Sequence, residues 1–178
     1  MRPLLSLLLG FTLLVGVAVP LSVTALAGLT MPERARGSLI RRDGQVIGSA
    51  LIGQNFQGDH WFQGRPSATS AAPYDAAFSA ASQLGPTSAA LLTAVTERVA
   101  GARDVPADTA TASGSGLDPH ISAENAQAQI ARVAAARNLP VSSVMALVEQ
   151  TAEGREFGLL GDPRVSVLRL NLSLETLR

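Results

Sequence analysis

The densest concentration of reactive side chains is the run Thr-Ala-Ser-Gly-Ser-Gly-Leu-Asp-Pro-His-Ile-Ser from Thr111 to Ser122. Ser113, Ser115, Asp118 and His120 are the residue types of a nucleophile, a base and the acid that orients it. Members of such a triad converge from separate elements, so a local triad within twelve residues is disfavoured. The run is not a G-x-S-x-G elbow, since position 113 is Ser. As a phosphate loop, Gly114-x-Gly116 lacks a third Gly, a preceding strand and a following Lys. The expectation is that Asp118 and Ser122 organise the backbone entering a helix and that His120 bonds within that turn. Contact with a partner is the alternative.

Two further clusters carry chemistry. Asp59-His60 precedes Trp61-Phe62, but the spacing resembles neither H-E-x-x-H nor any Cys/His set, so no metal site is expected. Trp61 and Phe62 are read as a core or interface anchor, because aromatic rings supply packing area. Gly64-Arg65-Pro66-Ser67 sets an Arg between two rigidifying residues: either a turn with a solvated Arg, or an Arg clamped onto a partner's carboxylate or backbone.

Composition narrows the classes. All 14 basic residues are Arg and none is Lys, which leaves no phosphate-binding Lys of the P-loop or kinase kind. Fourteen acids balance them, so no basic field exists to hold nucleic acid. Cysteine is absent, which excludes thiol catalysis, disulfides and Cys-based zinc sites. Charged residues are 16% of the chain, below the roughly 25% of an ordinary soluble domain.

The deficit of charge sits at the N-terminus. Between Arg2 and Glu33 no residue is charged, and residues 4–29 hold ten Leu, four Val and one Phe. At about 1.5 Å per residue, twenty helical residues already cross the roughly 30 Å hydrocarbon core. Ala25-Leu26-Ala27 resembles a signal-peptide cleavage site, yet the apolar run exceeds a typical h-region, so an uncleaved anchor is expected. Pro20 should kink this helix or end its tightest part. Orientation is ambiguous in the sequence. Arg34, Arg36, Arg41 and Arg42 follow the span and count toward a cytoplasmic domain, whereas a two-residue head suits outward insertion.

The rest must position the polar clusters. Asp43-Gly44 between 38–42 and 45–52 predicts a type I′ hairpin. Residues 64–83 read as an irregular loop, and 101–119 return to Gly, Pro, Ser and Thr. Ser88–Ala100 predicts a helix with Leu91, Leu92, Val95 and Val99 on one face, ending at Gly101. Ser122 should cap a helix over Ala123–Arg137, with Ile130, Val133 and Ala134 facing inward and Asn138-Leu139-Pro140 stopping it. A second helix is expected at about Ser143–Glu153, with Val144, Leu147, Val148 and Thr151 on one face. The pair has a helix-turn-helix outline, but Glu149 and Glu153 would repel phosphate. Arg164–Leu172 alternates with a phase shift at Val167-Leu168, which predicts a bulged strand. The expected fold class is thus α/β in the α+β sense. Residues 1–32 form one transmembrane anchor helix with short flanks. Residues 33–178 form a small soluble accessory domain with a hairpin, a C-terminal strand and about three helices.

In this order the pattern resembles the C subunits of the bacterial Kdp-type potassium-transporting ATPase. The resemblance rests on the single span, Gly48-Ser49-Ala50-Leu51-Ile52-Gly53-Gln54-Asn55-Phe56, and Trp61-Phe62-x-Gly64-Arg65-Pro66-Ser67-Ala68. It continues through Leu84-Gly85-Pro86-Thr87, the run Thr111–Ser122, Gly161-Asp162-Pro163-Arg164-Val165 and Leu170-Asn171-Leu172. It departs at Ser79-Ala80-Ala81-Ser82-Gln83 and at Ser166. The resemblance implies a non-catalytic accessory subunit in the bacterial inner membrane, with its soluble domain in the periplasm. Its partners would be membrane lipid, a channel-like potassium-selective subunit and a P-type ATPase subunit, whose assembly it would stabilise. A role in raising ATP affinity is also implied, through Leu51, Gly53 and Gln54. No cofactor is expected to be held firmly, and ATP would enter only through the complex. Gly64, Arg65, Pro66, Ser67, Ser113, Ser115, Asp118 and His120 are the expected partner-facing residues. The alternative from another class is an anchored or secreted serine hydrolase using Ser113 or Ser115 with His120.

Overall fold

A computed structural model describes residues 2–177. The chain divides into two compact units, Met1–Ser49 and Ala50–Arg178, so the hairpin groups with the N-terminal helix.

In the first unit a continuous helix, α1, runs Arg2–Thr30, with none of its residues buried and length and composition sufficient to cross a membrane. Pro20 does not end it. Proline lacks an N–H and its ring crowds the preceding turn. A π-turn over Leu14–Ala18 widens the helix just before it, with the Val19 N–H donating to Leu14 O. Ser6, Ser22, Thr24 and Thr30 each donate their hydroxyl to the carbonyl four residues back, which suits a lipid environment. A single turn, α2 (Pro32–Ala35), leads to β1 (Leu39–Arg42) and β2 (Gln45–Ser49). Asp43 at φ 51° and Gly44 at φ 80° give the left-handed pair that the Asp-Gly turn predicts.

The second unit begins with a long irregular stretch, interrupted by a 3₁₀ turn at Ala76–Phe78. Helix α3 (Ala89–Val99) begins one residue after the expected Ser88, whose hydroxyl caps it. Its chain reversal falls at Ala100, at φ 48°, one residue before the expected Gly101. Leu91, Val95 and Val99 are half-buried, but Leu92 is 69% exposed and lies off the face assigned to it. The run 101–119 also holds a helical turn, α4 (Ala107–Ala110), whose Asp108 binds the N–H and hydroxyl of Ser122.

Strand β3 (His120–Ser122) then feeds α5 (Ala123–Arg137), capped by the Ser122 hydroxyl and closed by Asn138 at φ 55°. Helix α6 (Val141–Thr151) starts directly after Pro140, two residues before the expected Ser143. Ala152–Glu153 leaves the expected helix to form β4, which pairs antiparallel with β5 (Arg164–Ser166). The three strands lie in the order β3-β5-β4. The long C-terminal strand is a correction: after three residues the chain turns into α7 (Val167–Leu174). Val167, Leu170, Asn171 and Leu174 are all buried at helical spacing, so the phase shift marks a helix start and not a bulge.

Most of the core comes from helices. Ile121, Ala126, Ile130, Val133, Ala134, Val144, Val148, Val165, Val167, Leu170 and Leu174 pack together, and Phe62 joins them from the irregular stretch. Ile130, Val133 and Ala134 face inward as their spacing requires.

Candidate functional site

Residues 53–80 have no long strand to satisfy their backbone, yet within the second unit they dock against α5 and α7 at defined points. Side chains replace the missing ladder. Asn171, buried on α7, accepts from the Phe62 N–H at 3.0 Å and donates to the Phe62 carbonyl at 2.9 Å. On α5, Gln129 does the same for Gln63, at 2.8 and 3.1 Å. Arg132 donates to the carbonyls of Gly58, Asp59 and Trp61, and Arg137 to that of His60. The Arg137 guanidinium also lies 4.4 Å from the centre of the Trp61 ring. Phe62 is thus the core anchor, with Trp61 clasped half-buried beside it.

The two polar segments singled out in the sequence meet each other. Arg65 Nη1 donates to Asp118 Oδ2 at 3.1 Å, and Arg65 Nη2 reaches Ala112 O at 3.5 Å. The Ser67 hydroxyl donates to Gly116 O at 2.7 Å and accepts the Tyr74 N–H at 3.0 Å. The Ser113 N–H reaches Pro66 O, and the carbonyl of Ser115 receives the Ala80 N–H and the Ser79 hydroxyl. Gly53 donates its N–H to Leu117 O at 2.8 Å. A Cβ at Gly53 would sit 2.5 Å from Tyr74 Cε1 and 2.7 Å from Asp118 O. At Gly64 it would strike the Tyr74 hydroxyl. The seam closes only because both positions are glycine.

Asp118 is the electrostatic centre of the seam. Burial opposes its charge, but the ring and N–H of His120 and the Arg65 guanidinium outweigh that and hold its carboxyl below the usual range. The His120 backbone N–H donates to Oδ1 at 3.0 Å, while its Nδ1 stands 3.7 Å from the same oxygen, beyond hydrogen-bond reach. Tyr74 donates its hydroxyl to Arg65 O. Burial first, and then the Asp118 charge, push its phenol up to about 12 against the opposing effect of Arg65.

This arrangement fills the turn-organising role expected of Asp118, Ser122 and His120. Arg65 engages a carboxylate of its own chain. Ser113 is 4% exposed, and among the described residues neither Ser113 nor Ser115 hydrogen-bonds to His120. No three His, Asp or Glu side chains converge for a metal among the described residues. Of the other expected residues, Leu51 is exposed and Gly53 is locked into the seam. Gln54 lines a cleft of ≈ 840 Å³ that also carries Arg65, Arg98, Arg103 and Arg132, with Asp104 the one acid on its walls among the described residues.

Tyr74, Gln129, Arg132 and Asn171 hold the site together and were not singled out for it. Their signals were faint: a lone Tyr in an Ala/Ser/Pro-rich run, and one Asn inside an apolar C-terminal segment.

Fold and site together define a single-span chain carrying a small mixed helix-and-sheet unit whose polar centre is engaged in internal structure. A family model described as "K+-transporting ATPase, c chain" matches residues 1–176. The potassium-transporting ATPase KdpC subunit of Sorangium cellulosum is 52% identical over 186 residues, covering 100% of this chain and 98% of that protein. That of Methylorubrum extorquens is 51% identical over 195 residues, covering 98% and 95%. The subunit of Methylococcus capsulatus is 51% identical over 185 residues, covering 99% and 97%. The chain belongs to the KdpC family.

Proposed function

We propose that this chain is the non-catalytic accessory subunit of an ATP-driven potassium uptake complex. On this reading α1 anchors it in the bacterial inner membrane, and the Ala50–Arg178 unit stabilises assembly of a potassium-selective subunit with a P-type ATPase subunit. The observation that carries the reading is the seam. Arg65 pairs with Asp118, the hydroxyls of Ser67, Ser79 and Tyr74 donate to backbone carbonyls of the loops, and the nucleophile candidates do not meet the histidine, so the loops act as a rigid binding surface. Removing this chain while expressing the other subunits tests it. The remaining subunits should no longer co-purify as an active complex, and a fully active complex without this chain would overturn the proposal.

The family resemblance supports a periplasmic position for the Ala50–Arg178 unit. Ser115 is exposed, so Ser115→Cys in this Cys-free chain should react with a membrane-impermeant thiol reagent in intact spheroplasts. Labelling only after the membrane is opened would put the unit in the cytoplasm.

A second reading, that the chain raises ATP affinity by contacting nucleotide, is supported by the cleft around Gln54. Its walls carry four Arg side chains, and two buried polar atoms on lining residues, Arg65 Nε and Thr109 Oγ1, have no hydrogen-bond partner among the described residues. Arg65 is paired with Asp118 and Arg132 with Asp59, and the remaining guanidinium groups of Arg98 and Arg103 suit phosphate. The two readings conflict on location, since the periplasm supplies no ATP. Equilibrium binding of ATP to the solubilised full chain, compared with Arg103→Ala, decides between them together with the thiol labelling. Saturable binding weakened by the substitution, with a protected Ser115→Cys, would favour the nucleotide reading.

A further inference from the structure

The connection between β4 and β5 takes no part in the seam. It folds back on itself at Glu156 and Leu160, whose N–H and C=O groups exchange two hydrogen bonds of 2.9 Å. Gly158 N–H and Leu159 N–H are satisfied by Arg155 O and Glu156 O. The tip between them is apolar and open to solvent: Phe157 is 91% exposed, Leu159 80% and Leu160 62%. Three large apolar side chains gathered on one convex turn are unusual for a surface in water.

The surroundings of the tip say what covers it. Arg155 pairs with Asp162 at 3.2 Å. Arg164 pairs with Glu153 at 3.0 Å and with Glu156 at 3.5 Å, and Arg169 reaches Glu153 at 3.4 Å. Three bases therefore meet three acids, and the collar around the tip is neutral. Elements that dip into a lipid surface carry a surplus of bases beside their apolar residues, and this collar has none. A second copy of the chain is also a poor occupant. Two apposed tips of three side chains fall far short of the ~1,200 Å² that a stable interface buries. An apolar centre ringed by self-compensated polar groups is the anatomy of a protein interface hot spot.

We propose that Phe157, Leu159 and Leu160 form a knob that seats in an apolar socket on another subunit of the potassium-transporting ATPase. This rests on the assembly reading and adds the surface through which assembly is made. The closed backbone of the turn lets the knob enter such a socket without burying an unpaired tip N–H of Glu156, Gly158, Leu159 or Leu160. It also supplies the interface with three anchors on a rigid base, which limits the entropy lost on docking.

Leu159→Cys places a single thiol on the knob of this Cys-free chain. The purified intact complex, coupled there to a photoactivatable benzophenone, should give a covalent adduct with another subunit of the complex on illumination. Adducts with lipid alone, with a second copy of this chain, or none at all, would overturn the knob. In parallel, the double substitution Phe157→Ser, Leu160→Ser should reduce recovery of the other subunits by about tenfold or more. Its thermal melt should stay unchanged, because both side chains are exposed. Full recovery with an unchanged melt would also overturn the proposal, as would lost recovery that merely follows a lowered melt. If omitting the whole chain leaves the complex intact, the assembly reading itself fails. If omission disperses the complex and the double substitution does not, only the knob fails.

Discussion

Residues 50–118 and 120–174 belong to one compact unit but are held by different forces. The second segment is organised by apolar burial: α5, α6 and α7 close on the sheet around side chains such as Val133, Val144 and Leu170, each fully excluded from water. The first contributes one fully buried large side chain, Phe62, with Phe56 packed half-buried against the core. Otherwise it is fastened by hydrogen bonds, carboxamides bracketing peptides at Phe62 and Gln63 and loop carbonyls shared across the seam. Apolar burial is non-directional and tolerates small shifts, whereas a mesh of hydrogen bonds fixes geometry at modest net gain per bond. The core therefore supplies stability and the mesh supplies shape.

Substitutions can break that contrast. The largest effect is expected at Phe62, where the two segments join. Phe62→Ala should cost ~3–5 kcal/mol in the unfolding free energy of the detergent-solubilised chain, because a buried ring leaves a cavity. If it costs no more than a surface change, the first segment is not pegged to the core. Next is Asn171→Leu, which keeps bulk but abandons the Phe62 N–H and C=O to a dry environment. About 2–4 kcal/mol should be lost, for two buried groups left unpaired. A neutral result would mean that the peptide finds other partners and the bracket is dispensable.

Gly53→Ala probes the mesh alone. Its methyl would strike Tyr74 and the Asp118 carbonyl, so the seam must open, at a cost of ~1–3 kcal/mol. The helical core should keep its far-ultraviolet dichroism, and loss of helix together with the seam would show that the two segments do not separate in this way.

The smallest and most selective effect is in pH dependence. Tyr74 is neutral when it donates to Arg65 O, and its folded pKa lies above the ordinary value of about 10. The stability it adds is complete below pH 10 and falls as pH rises from there through about 12. Asp118 has the opposite sign. Its folded pKa is depressed, so its contribution is present above the ordinary value of about 3.9 and is lost as pH falls through the folded value. Tyr74→Phe should cost ~1 kcal/mol near neutrality and flatten the alkaline limb while leaving the acid limb alone. Since the chain has one Tyr, its phenolate absorbance reads the titration directly. A midpoint at the ordinary value would show the seam open in solution.

Local chemistry alone was enough for several elements. The uncharged run wrote its own membrane-length helix, Asp43-Gly44 its turn, and Ser88, Ser122 and Asn138 their helix ends, because each depends on residues within a few positions. The inward face of α5 was equally legible from its spacing. Tertiary structure decided the rest. Val167–Leu174 became a helix because burying Val167, Leu170, Asn171 and Leu174 on one face outweighed a strand-like alternation. Ala152–Glu153 left its helix because Arg164 and Val165, a dozen residues on, offered a ladder. The pairing of Arg65 with Asp118, 53 positions apart, and the placing of Tyr74 over two glycines cannot be read from neighbours in the chain. A hydrogen-bonding side chain carries no address for its partner in its own sequence surroundings. Only the packing of the apolar core brings the two loops within the few ångströms at which such bonds form.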